Sequence, residues 1–406
     1  MAESKALPAI LFLTGDLALG GGAIFVLNVC DALRKARLWE PLAGVFQGLG
    51  TVGRQLAGSG YSVIGPFPNA TIHEEFIEAM HVECRRLKPG VVVANLGGET
   101  FDFLRFVPES VLRVAMIHSD DECVYAQVER YLPWIDLVVG VSARNQEVMR
   151  KRLGGRAVPV EQVACGVPMP ETLPREIRRH GALRVLYLGR VIEPQKRVSL
   201  MAKVIRRSLD AGLDITWTIA GDGPDLETVR EAFAKDRGRV SFLGEVAYDR
   251  VPDLLAESDV YFLCSDFEGL PLSMLEAMGA GCVPVVSDLP SGISEVVNEQ
   301  NGIRVPFVGM DESAYVEALV KLYEDRVCLA AMGNAAAQTV RASHSSAAMA
   351  ERWAQLLETH AKSVTPDWGK PCIADAPPEC REDWRFHSRL RWLRKLFKQA
   401  KSRVNP

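Results

Sequence analysis

No stretch of this 406-residue sequence reaches the roughly 18 consecutive apolar residues that a membrane-spanning helix needs. The first apolar run, Ala9 to Leu13, follows a single lysine and is cut off by Thr14-Gly15-Asp16, too early for the core of a secretory signal. The expected location is therefore cytoplasmic. No C-x-x-C pair occurs, and the nine cysteines are odd in number and scattered, which points away from a disulfide framework or a zinc site and toward a reduced compartment. A basic surplus is also lacking. Against 51 acidic residues stand 47 Lys and Arg, a net charge of −4, so no global positive field would gather nucleic acid. Gly and Pro, 33 and 23 residues, are at ordinary globular frequency, which excludes collagen-like and low-complexity classes.

What is present is length enough for two or three domains and a repeated alternation of apolar, β-branched runs with helix-like stretches. The runs are Ile10 to Leu13, Leu42 to Phe46, Val91 to Ala94, Val114 to Ile117 and Leu137 to Val141. After a stiff interval, Gly166 to Pro174, they resume as Arg184 to Leu188, Ile215 to Ala220, Val240 to Leu243, Val260 to Cys264 and Val283 to Ser287. An α/β fold of two Rossmann-like parallel-sheet domains follows, the first over 1–170 and the second over 182–346. In such sheets ligands bind beyond the carboxyl ends of the strands. The loops Gly189-Arg190, Gly221 to Pro224, Ser265 to Gly269 and Ser287-Asp288 should thus share a crevice, facing Gly20-Gly21-Gly22 and His118-Ser119-Asp120 of the first domain.

The glycine loop at Gly15 to Gly22 fails two nucleotide signatures. Gly21-Gly22 stand where a P-loop needs Lys and Ser or Thr, and Phe25 occupies the last glycine position of a dinucleotide fingerprint. Either a close backbone approach to a ligand at a helix start or a simple tight turn remains. The richest stretch is Ser265 to Gly281. Gly269 and Pro271 read as a helix start whose N–H groups can receive a phosphate. If one helix carried both Glu268 and Glu276, they would lie about 12 Å apart along its axis. That exceeds the roughly 5 to 9.5 Å between paired glycosidase carboxyls and suits carboxylates holding two ends of an extended ligand. Arg190 and Lys196 offer two cationic centres where a pyrophosphate would lie.

Together, Gly189-Arg190 with Lys196 six residues on, the Ala-Gly-Asp-Gly-Pro turn at 220–224, Gly244-Glu245 after a strand, and Glu268 with Glu276 resemble the retaining glycosyltransferases of family 4, the group 1 glycosyltransferases of GT-B fold. The likeness is strongest over 184–305. In the first half only Gly20-Gly21-Gly22, His118 and Gly166-Val167 match. It implies that Arg190 and Lys196 hold the donor diphosphate and Glu276 the ribose, while Glu268 and the backbone of Gly269, Leu270 and Leu272 touch the transferred sugar and phosphate. Gly22, Gly189, Gly221 and Gly244 are implied donor-side positions. His118 is an implied catalytic residue, although the family often has His-Asp where this chain reads His118-Ser119-Asp120. The resemblance also implies retention, closure of the domains on the donor, and a return of 347–362 to the first domain.

Charge accumulates on a departing diphosphate, so Arg190 and Lys196 would stabilise the transition state without a metal or other cofactor. The metal-using alternative architecture relies on Asp-x-Asp, which occurs nowhere in the chain. The expected partners are a nucleoside diphosphate sugar and a glycan or lipid-linked acceptor, as in polysaccharide biosynthesis. A nucleotide-sugar 2-epimerase of the same architecture and a noncatalytic nucleotide-sugar-binding protein are the alternatives.

The end of the chain stands apart. Residues 363–406 read as linker and tail, and from Arg385 to Arg403 eight basic residues occur with no acidic one. Phe386, Leu390, Leu393 and Phe397 recur at helical spacing. A helix over 384–403 could therefore lie on an anionic membrane surface, peripheral to the inner face, or pack on the protein itself.

Overall fold

The computed structural model describes residues 7–68, 70, 73–96, 98–170, 181–306 and 311–369. The first sheet contains β1 (Ala9–Asp16), β2 (Glu40–Gly48), β3 (Ser62–Ile64), β4 (Val91–Leu96), β5 (Leu112–Ile117), β6 (Leu137–Gly140) and β7 (Val160–Gln162), in spatial order β3-β2-β1-β4-β5-β6-β7. The second contains β8 (Leu183–Leu188), β9 (Ile215–Ala220), β10 (Val240–Gly244), β11 (Val260–Leu263), β12 (Val283–Ser287) and β13 (Ile303–Val305), in order β10-β9-β8-β11-β12-β13. All pairings in both sheets are parallel.

Helices cover both faces of each sheet, which is why the strands read as unbroken apolar runs. In β1, Ile10 and Phe12 enter a core shared with Phe25 and Trp353, whereas Leu11 and Leu13 face a second core with Phe103 and Trp368. β3, β7 and β13, which the apolar runs did not reveal, have three residues each and lie at sheet edges. Both sheets reverse their order at one point, between β1 and β4 in the first and between β8 and β11 in the second. The loops leaving these four strands open into one crevice, the position a doubly wound sheet reserves for ligands.

The crossing between domains is tight at Gly166, where a Cβ would come within 2.7 Å of both the Met349 Cβ and the Ser345 carbonyl oxygen. The next residue anchors the second crossing: Val167 N–H donates to the His344 carbonyl and its own carbonyl accepts from Ser346 N–H, each at 2.9 Å. The helix Ser346–His360 then lies on the first domain, with Trp353 fully buried edge-to-face on Phe12, 5.5 Å between ring centres, and Leu356 and Leu357 buried beside it. Residues 363–369, read from the sequence as the start of a linker, also lie against the first domain. Trp368 is buried, donates from Nε1 to the Pro89 carbonyl at 3.1 Å and stacks near Phe103. No described helix is long and apolar enough to cross a membrane. The basic stripe 384–403 lies outside the described residues.

Candidate active site in the interdomain cleft

The crevice is a cleft of about 810 Å³ lined from both domains. From the first come Thr14, Gly15 and Asp16 at the carboxyl end of β1, the glycines 20–22, Gln47, Glu99 and His118. From the second come Gly189 and Arg190 after β8, Lys196, Gly221, Tyr248 and the stretch Glu268 to Ser273 with Glu276. Of the residues singled out in the sequence, Gly22, His118, Gly189, Arg190, Lys196, Gly221, Glu268, Gly269, Leu270, Leu272 and Glu276 all line it. Gly244 does not. It ends β10 with φ +69°, and its carbonyl accepts Gly221 N–H at 2.7 Å, so it shapes the turn beside the cleft.

Two helices begin at the cleft without side-chain caps. Gly21–Lys35 starts after Gly20, and Leu272–Gly279 after Pro271; neither has an acidic residue in its first turn. Their leading N–H groups and the positive ends of their dipoles are therefore available to an anion. The glycine loop at 20–22 is thus a helix start facing the cleft, with an N-cap too small to satisfy those donors itself.

The helix geometry expected for Glu268 and Glu276 needs correction. The helix begins only at Leu272, because Pro271 is extended at φ −64°, ψ 117° and biases the residue before it away from helix. Glu268 thus precedes the helix, and a separation calculated along one helix does not apply to the pair. The segment is held straight by an antiparallel backbone bridge between Gly269 and Ser119 of the opposite domain. Here glycine is required: a Cβ at 269 would sit 1.9 Å from the His118 carbonyl oxygen.

Neither expected cation stands alone. Lys196 Nζ donates to Glu268 Oε1 at 2.5 Å, with both side chains largely buried. Arg190 Nη2 donates to Gln195 Oε1 at 2.7 Å, and Gln195 in turn donates to the Phe267 carbonyl at 3.3 Å. A diphosphate entering the cleft would exchange these partners for its own oxygens.

Glu276 presents the opposite condition. Its Oε1 is buried without a hydrogen-bond partner, and burial pushes the carboxyl up to about 7, a rise moderated by the Tyr248 hydroxyl. Such an acceptor is suited to a diol. The Tyr248 hydroxyl also lies 3.2 Å from Asn28 Oδ1 across the cleft, so its single proton serves either Glu276 or Asn28, and Asn28 Nδ2 donates to the Gly166 carbonyl at 3.2 Å in the domain crossing. Sequence reading missed Tyr248, a lone aromatic in a polar loop with no spacing to mark it. On the first-domain side, His118 Nε2 donates to Asn95 Oδ1 and its ring meets Phe25 edge-to-face at 4.8 Å. Burial lowers its pKa to about 4, so near neutral pH it is an uncharged imidazole with Nδ1 as an acceptor. Among the described residues no three His, Cys, Asp or Glu side chains converge as a metal-ligand set.

Comparison with known proteins agrees with this geometry. Residues 182–325 match the family described as Glycosyl transferases group 1. Over that segment, about a third of the chain, the sequence is similar to the group 1 glycosyltransferases. The Escherichia coli O-antigen biosynthesis glycosyltransferase WbnH is 30% identical over 205 residues, 50% of this chain and 56% of that protein. A Corynebacterium glutamicum GDP-mannose-dependent monoacylated alpha-(1-6)-phosphatidylinositol monomannoside mannosyltransferase is 30% identical over 173 residues, 41% and 45% of the two chains. The chain thus spans about half the length of these curated relatives. Among solved structures, Anabaena Alr3699/HepE in complex with UDP and glucose superposes with a TM-score of 0.70 at 16% identity, covering 86% of this chain and 99% of that one. The fold is GT-B.

Proposed function

We propose that the protein transfers a sugar from a nucleoside diphosphate sugar to an acceptor hydroxyl on a glycan or lipid-linked glycan, with retention and without a metal ion. The observation that carries this reading is the convergence, in one cleft, of two uncapped helix starts, Arg190 and Lys196 with the buried, unpartnered Glu276 oxygen. The first group provides fixed positive potential for a leaving diphosphate, which is worth most as the bond to the anomeric carbon breaks. The second supplies an acceptor for ribose hydroxyls. Glu268 and the neutral His118 border the space between, where the transferred sugar would lie. Retention rests on the family resemblance, in which the departing phosphate takes the acceptor proton on the same face of the sugar.

The relatives support the acceptor class: one is named for O-antigen biosynthesis and another for a phosphatidylinositol mannoside. The basic, amphipathic 384–403 segment is consistent with peripheral attachment to an anionic membrane that carries such acceptors. Thermal stabilisation by UDP, GDP, ADP and their sugar conjugates tests the reading, because a bound ligand adds RT ln(1 + [L]/Kd). One base series should stabilise the protein clearly above the others. No stabilisation by any of them at millimolar concentration would refute the assignment.

A further inference from the structure

The helix Ala143–Leu153 of the first domain has an incomplete N-terminus. Ser142 Oγ accepts the Asn145 N–H at 3.1 Å, but no acidic residue lies in the first turn to satisfy the two N–H groups before it. The missing carboxylate comes from the other domain. Glu295, in the short helix Gly292–Val296, accepts the Ala143 N–H at 2.9 Å with one oxygen and the Arg144 N–H at 3.0 Å with the other. Gln162 Nε2 adds a third contact at 3.2 Å. A carboxylate on two terminal amides benefits both from charge-assisted hydrogen bonding and from the helix dipole.

The same short helix reaches the donor loop. Gly292 N–H donates to the Gly269 carbonyl at 2.8 Å, and a Cβ at 292 would press within 3.0 Å of that oxygen and of the Leu270 side chain. Gly269 is the residue bridged to Ser119. Arg144, whose N–H meets Glu295, reaches back with Nε to Asp120 Oδ2 at 3.2 Å, one residue beyond Ser119. The contacts therefore form a closed circuit: Glu295 to the helix start, Arg144 to the His118 strand end, Ser119 to Gly269, and Gly269 to Gly292.

We propose that Glu295 is a positioning residue that latches the two domains, capping a first-domain helix so that Gly269 and Leu270 are held against the strand end bearing His118. Glu295 does not line the cleft, and it acts only through the helix that carries Gly292. This role in the reaction rests on the transferase reading above; the latch itself does not.

The test uses the full chain with Glu295→Ala and Glu295→Gln. Hydrogen exchange at the Ala143 and Arg144 amides should accelerate about tenfold or more in Glu295→Ala, the scale of one charge-assisted hydrogen bond, and by less in Glu295→Gln, whose amide oxygen still accepts one N–H. The acceleration should be confined to the first two amides. Faster exchange throughout 143–153 would mean a merely unstable helix and would overturn the latch, as would unchanged exchange. Small-angle scattering with UDP, GDP or ADP should show compaction of the wild type that Glu295→Ala reduces, with diphosphate affinity falling in step, because a ligand that closes the domains binds the closed form more tightly. Equal compaction overturns the positioning role. Failure of all three diphosphates to bind the wild type overturns the transferase reading, and the exchange comparison still decides the latch.

Discussion

Glu276 should make donor binding pH-dependent in a direction its burial fixes. A ribose diol donates two hydrogen bonds and needs an ionised carboxylate, yet burial holds this carboxyl at about 7. If the donor binds only the ionised form, its apparent Kd rises by 1 + 10^(pKa − pH), about 11-fold at pH 6 and about 1.1-fold at pH 8, a net gain of about tenfold across that range. The assay is calorimetric titration with the best-stabilising sugar nucleotide. Its diphosphate is esterified at both ends and does not titrate in this range, unlike the terminal phosphate of a free nucleoside diphosphate. Glu276→Gln should bind more weakly than wild type at pH 8 and show no such pH dependence. The same group affects folding. Its folded pKa is raised from 4.5 to about 7, so the stability it contributes is fully present below about pH 4.5 and lost as pH rises through 7. That loss is on the order of 3 kcal/mol. Ligand-free Glu276→Gln should therefore be more stable than wild type at pH 8 while binding donor less well. A flat affinity between pH 6 and 8 in the wild type, or undiminished donor affinity of Glu276→Gln at pH 8, would refute the ribose assignment.

Arg190→Ala and Lys196→Ala should each lower kcat by on the order of a hundredfold or more and weaken nucleotide binding, since each removes charge facing the leaving diphosphate; near-normal kcat in both, measured with the cognate donor, would remove this site. Gly269→Ala should fold with little loss of stability in the second domain but fail to compact with nucleotide, because its Cβ would meet the His118 carbonyl at 1.9 Å; scattering that matches wild type would contradict the bridge to Ser119. Turnover should persist in EDTA, and loss of activity restored by Mn²⁺ or Mg²⁺ would show that Arg190, Lys196 and the helix starts do not suffice.

Much of this architecture was legible because parallel strands buried on both faces leave largely apolar runs such as Val91 to Ala94 and Val283 to Ser287, whose positions follow from pattern alone. The three-residue edge strands left no such trace. Their pairing is imposed by the sheet they complete: Val160 to Gln162 join β6 as a strand in which only Val160 is fully buried. Site residues were legible where glycine, proline and charge coincided, as at 189–190 and 268–276. What spacing could not show is partnership at long range. Lys196 and Glu268 are 72 residues apart in sequence and meet only because β8 and β11 are neighbours at the switch point. The pairing of Tyr248 with Asn28, and of Glu295 with the Ala143 helix start, joins separate domains and depends on how they face each other. Gly244 illustrates the reverse: a glycine that fitted the family pattern serves its turn through a positive φ and a carbonyl.

The tail can be tested without disturbing the domain it leaves. Trp368 is buried against the first domain, with Lys362 Nζ donating to Asp136 Oδ2 at 3.0 Å and Asp367 N–H to Ser110 Oγ at 3.0 Å earlier in the same segment. A cut after Lys362 would remove the indole from its core, and by the usual cost of emptying such a site, about 3 to 5 kcal/mol, would destabilise the whole first domain. Its loss of membrane binding would then be uninformative. A cut after Pro378 keeps this anchor and removes all eight cations of 385–403 together with Phe386, Leu390, Leu393 and Phe397. If the segment lies on anionic lipid, the full chain should float with vesicles containing phosphatidylglycerol and not with phosphatidylcholine alone. Binding should fall steeply as salt rises from about 0.05 to 0.5 M, because the Debye length shrinks below the headgroup spacing of the charges. The shortened chain should stay in solution with an unchanged melting temperature. Equal flotation of the two chains would place the lipid contact elsewhere. A shortened chain that melts several degrees lower would instead show that the apolar stripe packs on the protein and that the cations are simply solvated.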